Sequence, residues 1–144
     1  MNDQQTVVRD YLIASALQQV EVMCGYIETA SVHPDATFEG KPTALCYAAL
    51  HANCPLVRYL LRAGANASHR DGMGMTPLHY AAIGGSESCI ESLIGAGAPV
   101  NAANHSGKTA LALAAARGGK CCKILCTNGA VVACRSDGTS HVVH

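Results

Sequence analysis

The side chains in this 144-residue chain that are best suited to metal binding or catalysis are its eight cysteines and seven histidines. The densest group lies near the C-terminus and comprises Cys121, Cys122, Cys126, Cys134, His141 and His144. Thiolate and imidazole groups bind zinc, so this composition suggests a thiol or metal-binding protein. The spacing does not favour zinc, because structural zinc sites use close cysteine pairs that a turn brings together.

His79 is the best candidate for a catalytic base, since serine, threonine and aspartate lie near it in the sequence. No glycine-rich phosphate loop, dinucleotide fingerprint or nucleophile elbow accompanies it. The sequence therefore predicts no enzyme, no catalytic residue and no cofactor.

Charge and hydropathy narrow the class of partner. Ten basic residues balance ten acidic ones, so the basic patch of a nucleic-acid binder is missing. No apolar run approaches the ~20 residues that span a bilayer. The first residues lack the positive region of a secretory signal, which favours a reducing compartment. We expect a cytoplasmic protein, with the nucleus as an alternative, that binds neither nucleic acid nor membrane.

The elements that position these residues follow an internal repeat. Similar segments begin at Thr43, Thr76 and Thr109, so the first and second segments are as far apart in the sequence as the second and third. Stepping back by the same amount from Ala48 and Ala49 places a first unit around Ser15 and Ala16. A fixed period of about 33 residues is typical of stacked repeat units.

The repeat divides the chain into one domain of successive units. They cover about 5–37, 38–70, 71–103, 104–135 and a partial unit, 136–144. Gly64 and Gly97 keep the period, but Gly129 follows Gly97 one position too early. The fourth unit has therefore lost one residue, which we place near Gly118 and Gly119.

Each unit has the pattern of two short helices followed by a projecting turn, which we call a finger. Leu78, Ala81 and Ala82 give the first helix a narrow apolar face, and Leu93 with its neighbours gives the second helix another. Glycines after Asp71 favour the tight turn of the finger.

These residues resemble the ankyrin repeat family, whose unit is a β-turn and two helices with a Thr-Pro-Leu-His-x-Ala core. Thr76-Pro77-Leu78-His79 and Ala81 match this core best. Other units depart from it, since Cys46 and Ala112 replace the histidine and Lys41 replaces a turn glycine. The resemblance implies an all-α solenoid and a non-catalytic scaffold for protein-protein interaction. It also implies that His79 ties the start of its helix to the preceding turn.

The repeat gives the cysteines a structural interpretation. Cys122 and Cys126 occupy the positions of Ile90 and Ile94 in the previous unit, which are core positions of a helix. Free cysteine behaves as a small buried hydrophobic residue, so we expect reduced thiols and no metal ligands. Cys89 and Cys121 share a repeat position, which predicts that they lie near each other across the stack.

The resemblance implies a partner-binding concave face lined by the fingers and by outward positions of the first helices. An apolar strip on this face would be formed by Tyr47, Leu50, Met73, Met75, Tyr80 and Ile83, and flanked by Lys41, His51, His105, Lys108 and Arg117. Tyrosine and methionine are enriched at interfaces, and such a strip suits an amphipathic helix or an extended peptide. The alternative is that Tyr47 and Tyr80 are partly buried structural residues.

Asn101 is a candidate modification site, because asparagines in this setting of ankyrin repeats are targets of an asparaginyl hydroxylase. The alternative, which we favour, is a turn-stabilising asparagine. Two other functions stay open: a thiol or metal-binding protein, and a regulatory domain of a larger enzyme. We expect a monomer or a weak dimer formed through an uncapped C-terminal repeat.

Overall fold

The computed structural model describes residues 3–29, 31–38, 40–117 and 121–130. In these ranges the regular structure is entirely helical, as the sequence predicts. The helices are α1 (Asp3–Ala16), α2 (Val20–Glu28), α3 (Ala44–Leu50), α4 (Cys54–Arg62), α5 (Pro77–Gly84), α6 (Glu87–Gly95), α7 (Ala110–Ala116) and α8 (Cys122–Thr127).

The helices pack in two layers. The first helices of the units form one layer, in which α1 contacts α3, α3 contacts α5 and α5 contacts α7. Among the second helices, α4 contacts α6 and α6 contacts α8. Each first helix also packs on its own second helix, so the stack has one continuous core.

The core is built from the same positions in successive units. Leu45, Leu78 and Leu111 follow one another at intervals of one period, and all three are buried in the first layer. Leu60 and Leu93 are completely buried in the second. Small residues between them, such as the Ala81-Ala82 pair, let the first helices approach one another closely.

The first unit differs by one residue from the predicted register. The Gln19 amide donates to the Ala14 carbonyl, and at the same place in the next unit the Asn53 amide donates to the Ala48 carbonyl. Ala14 and Ala48 are therefore equivalent positions, and they are one residue further apart in the sequence than the period. Ala14 and Ser15 are the buried pair, while Ala16 is exposed. The alignment of Ser15 and Ala16 with Ala48 and Ala49 was therefore wrong, because a fixed period does not detect a one-residue shift in a turn.

The motif that best matches the repeat core caps the start of α5. The Thr76 side chain accepts a hydrogen bond from the His79 amide, and His79 Nδ1 accepts one from the Thr76 amide, which completes a capping box. At the start of α3 the Thr43 hydroxyl instead donates to Cys46 Sγ at 3.6 Å, and it caps no backbone amide.

The loss of one residue in the fourth unit falls between α7 and α8. The Ala98 amide donates to the Leu93 carbonyl, and the Ala130 amide makes the equivalent bond to the Leu125 carbonyl. Leu93 and Leu125 are therefore equivalent positions, and they are one residue closer in the sequence than the period. The predicted partial unit 136–144, Cys134, His141 and His144 lie outside the described residues. In the part of the chain that the structure describes, no helix is long and apolar enough to span a bilayer.

Candidate partner-binding surface

The finger at residues 71–75 is held by one carboxylate. Asp71 Oδ1 accepts hydrogen bonds from the amides of Met73 at 2.9 Å and Met75 at 3.0 Å. Gly74 has φ +74°, a left-handed conformation that glycine adopts without strain. The backbone of this finger is therefore fixed by its own side chain.

The next finger repeats this arrangement with an amide in place of the carboxylate. Asn104, one period after Asp71, accepts hydrogen bonds through Oδ1 from the amides of Ser106 and Lys108 at 2.9 and 3.0 Å. Asparagine suffices here because only the side-chain oxygen is needed as an acceptor.

Successive fingers are joined by their backbones. The Gly72 amide donates to the Gly40 carbonyl at 2.9 Å, and the His105 amide donates to the Met73 carbonyl at 3.0 Å. The His105 ring also covers Gly74, where an added Cβ would lie 2.7 Å from His105 Cδ2. The fingers thus form a continuous surface rather than separate loops.

Tyr80 connects α5 to its finger. Its hydroxyl donates a hydrogen bond to Asp71 Oδ2, the oxygen that the finger amides leave unused. Burial, together with this hydrogen bond, raises the pKa of Tyr80 above its ordinary value. Tyr80 therefore stays neutral and has a structural role in addition to any contact with a partner.

The outward positions of the first helices form a row. Tyr47 and Tyr80 are half-buried, and within the described residues the Tyr47 hydroxyl has no hydrogen-bond partner. The corrected register places Ile13, which is 49% exposed, at the same position of α1. Leu113, which is half-buried, takes this position in α7.

The sequence prediction missed Ile13 and Leu113 for different reasons. The one-residue shift in the first unit hid the correspondence of Ile13 with Tyr47. Leu113 follows Tyr80 by one period, so the repeat alone could have identified it. The row therefore comprises Ile13, Tyr47, Tyr80 and Leu113.

We define the finger surface as this row together with the accessible residues predicted around it. Around the row, Leu50 and Ile83 are half-buried, and the exposed residues are Met73, Lys41, His51, His105, Lys108 and Arg117. Met73 and Ile13 are the exposed apolar residues of the finger surface, and Met73 is the more accessible, with 67% of its surface exposed.

Met75 does not belong to the finger surface, so this part of the prediction was wrong. It is only 7% exposed, and the Asn104 amide group donates to its Sδ at 3.2 Å. Met75 directly precedes the cap of α5, where its side chain lies against the next finger and not towards solvent.

The basic flank is divided between the two ends of the first helices. His105 and Lys108 lie on a finger, next to the start of the helices. His51 and Arg117 are the C-terminal caps of α3 and α7. A first helix of eight residues is about 12 Å long, so these two groups are separated by roughly that distance.

His79 has both ring nitrogens occupied. Nδ1 accepts from the Thr76 amide at 3.0 Å, so Nε2 carries the hydrogen and donates to the Lys108 carbonyl at 2.9 Å. The ring is 1% exposed. Through Nδ1 the ring ties the start of α5 to Thr76, which directly follows the preceding finger, and through Nε2 it also ties α5 to the following finger. Desolvation by burial lowers the pKa of His79 below its usual value.

The cysteines lie mostly within the helices. Cys126 is buried and Cys122 is half-buried. Burial raises the pKa of Cys46 to about 11, so this thiol is protonated at neutral pH. Among the described residues, no group of three or more His, Cys, Asp or Glu side chains is placed to hold a metal ion.

Asn101 is exposed and connects two units. Its amide group donates to the Gly129 carbonyl at 3.0 Å. This bond gives the residue a structural role at the end of the second helices, and hydroxylation of Asn101 stays a prediction.

Comparison with protein families agrees with this architecture. The family model described as ankyrin repeats (3 copies) matches residues 11–104 and 45–136, which is most of the chain. The chain therefore belongs to the ankyrin repeat family, whose members are generally modules for protein-protein interaction. A search of curated proteins found no match.

Proposed function

We propose that this protein is a non-catalytic scaffold that binds a partner protein or peptide on the finger surface. The observation that carries the proposal is the row of Ile13, Tyr47, Tyr80 and Leu113. Four equivalent positions on four packed helices are apolar or aromatic, yet they stay half-buried or exposed. Repeated apolar exposure of this kind is typical of an interaction surface.

Rigid presentation supports the proposal. Met73 exposes its side chain while its amide is bound by Asp71 and its carbonyl by His105. A partner that contacts Met73 would not have to order the backbone first, so little conformational entropy is lost on binding. Methionine also adapts its shape to different apolar partners.

The chemistry of the surface indicates the class of partner. Its centre is apolar, and its flanks carry the basic residues Lys41, Lys108 and Arg117 together with His51 and His105. An amphipathic helix or extended peptide with apolar anchors and acidic flanking residues would complement it. His79 could not act as a base without breaking the capping box and its bond to Lys108, which supports a non-catalytic role.

Binding is tested by comparing tyrosines from the two layers. Tyr47→Ala removes a half-buried ring from the finger surface without removing an internal hydrogen bond. Tyr59→Ala likewise removes a half-buried ring, here from α4 in the other layer, together with the hydrogen bond that the Tyr59 hydroxyl donates to Glu28 at 3.4 Å. Tyr80 is less suitable, because its loss would also disturb the finger that Asp71 organises.

The measurement is affinity capture from a lysate with quantitative mass spectrometry, followed by titration of the recovered partner. We expect Tyr47→Ala and Met73→Ala each to weaken binding about tenfold or more, as central interface residues do. Tyr59→Ala should leave affinity unchanged, and circular dichroism should show the same helix content for all variants. Loss of binding in Tyr59→Ala alone would place the site on the second layer and contradict the proposal.

A further inference from the structure

Two cysteines that the repeat does not relate lie side by side in the second layer. Cys54 Sγ is 2.9 Å from Cys89 Sγ and 3.1 Å from the hydroxyl of Ser86. Cys54 begins α4 and Cys89 lies in α6, so the pair joins neighbouring units. A disulfide has an S–S distance of about 2.05 Å, so the two sulfur atoms need to approach by only roughly 0.9 Å.

The two thiols differ in accessibility. Cys54 is half-buried, whereas Cys89 is completely buried. Burial raises the pKa of Cys89 to about 12, so its thiol is protonated at neutral pH. Cys54 is therefore the more accessible of the two residues to an oxidant from solution, and Cys89 is the buried second sulfur.

We propose that Cys54 and Cys89 form a reversible disulfide, which makes this pair an oxidation-sensitive modification site. Disulfides in reducing compartments are usually transient and redox-sensing, so the site is compatible with thiols that are reduced at rest. The fold holds the sulfur atoms together before oxidation, which favours cross-linking over further oxidation of Cys54.

Hydrogen peroxide is the oxidant that the chemistry suits. Cys54 loses its thiol proton and its sulfur attacks one peroxide oxygen; the O–O bond breaks, Cys54 becomes a sulfenic acid, and the hydroxide that leaves takes the Cys54 proton as water. The Cys89 sulfur then attacks the Cys54 sulfur, the S–O bond breaks, and the released hydroxide takes the Cys89 proton as water. In sum, two thiols and one peroxide give a disulfide and two waters, and the peroxide oxygens gain the two electrons that the sulfurs lose.

The bond would fix α4 to α6 across the boundary between two units. The finger surface lies on the other layer, so we expect oxidation to act on the coupling of the units. Cross-linking restricts the unfolded chain and should raise the melting temperature of the oxidised protein, by on the order of 10 °C for a chain of this size.

The bond can be identified by intact mass and peptide mapping. Peroxide treatment of the full chain should lower its mass by about 2 Da, and dithiothreitol should restore it. Trypsin yields the fragment 71–108, whose one cysteine is Cys89. Because trypsin does not cleave before Pro42, Cys54 lies in the fragment 10–58 with Cys24 and Cys46. We expect these two fragments to be linked.

Single serine variants identify which of the three cysteines in the fragment 10–58 forms the link. Cys54→Ser and Cys89→Ser should abolish both the link and the rise in melting temperature. Cys24→Ser and Cys46→Ser are the controls and should retain both. Cys89→Ala serves where serine is not tolerated in the core, with circular dichroism as the check on folding.

The proposal is overturned by either of two results. One is a link to fragment 71–108 that persists in Cys54→Ser. The other is oxidation of the folded wild type that adds oxygen to cysteines without forming the link.

Discussion

Asp71 illustrates how one side chain organises the candidate surface. Its carboxylate accepts two finger amides on one oxygen and the Tyr80 hydroxyl on the other. A buried carboxylate is costly unless it is hydrogen-bonded, and these three donors offset that cost. The position of Met73 on the finger surface therefore depends on a residue that a partner would hardly contact.

At the same scale, His79 predicts a pH dependence of stability. Its pKa is lowered in the folded protein, so the unfolded chain takes up a proton more readily as the pH falls. The stability that the neutral ring supports is complete above the unfolded pKa of about 6.5 and is lost as the pH falls towards the folded value. We expect a lower urea midpoint at pH 5 than at pH 7.5.

His79→Gln provides the comparison, because glutamine does not titrate in this range. The variant should be less stable at pH 7.5, since it loses the capping box and the bond to Lys108. Its urea midpoint should then change less between the two pH values than that of the wild type. An equal change in both proteins would assign the pH dependence to other groups.

The stability of the helices depends on how closely they pack as well as on the helix propensity of their residues. Gly84 ends α5 beside the last turn of α3, where an added Cβ would lie 2.6 Å from the Ala49 carbonyl oxygen and 2.7 Å from that of Leu50. Both atoms belong to the backbone, so they cannot move without shifting the helix. Gly95 ends α6 in the same way but has open space around it.

Substituting these two glycines by alanine gives a matched test of how closely the helices pack. Gly84→Ala should destabilise the protein by about 1 to 3 kcal/mol, because the first helices must separate. Gly95→Ala should be neutral or stabilising by up to about 1 kcal/mol, since alanine is the better helix former. Chemical denaturation of both variants measures the difference, and equal effects would show that α3 and α5 are not in close contact at Gly84.

At the scale of the molecule, the stacked repeats should unfold together in one cooperative transition. The helices α5 and α6 contact neighbours on both sides, and the core runs through the units that the structure describes, from Tyr11 to Ala130. Repeat proteins are coupled through such interfaces between nearest neighbours. A defect in the middle should therefore lower the stability of the units on either side.

Leu93→Ala tests this coupling. Leu93 is completely buried in α6, so its truncation should cost about 2 to 5 kcal/mol. Hydrogen exchange should show amides of α3, α4 and α7 losing protection together with those of α6. Ser88→Ala, at an exposed position of α6, should have little effect. A protection loss confined to α6 would indicate that the units unfold separately.

The amino-acid sequence determined the helical class, the period and the buried leucines and alanines. These features are readable because each unit repeats the same local pattern, and local patterns of apolar residues set secondary structure and its buried face. The comparison with the family confirmed the repeat.

Tertiary structure alone decided the features that depend on distances between units. The burial of Met75, the bond from His79 to the following finger, the shift that brings Ile13 into the row with Tyr47, and the contact of Cys54 with Cys89 all arise across unit boundaries. Such contacts depend on how the turns end and how closely the helices pack. A one-residue change in a turn alters them while leaving the pattern within each helix the same.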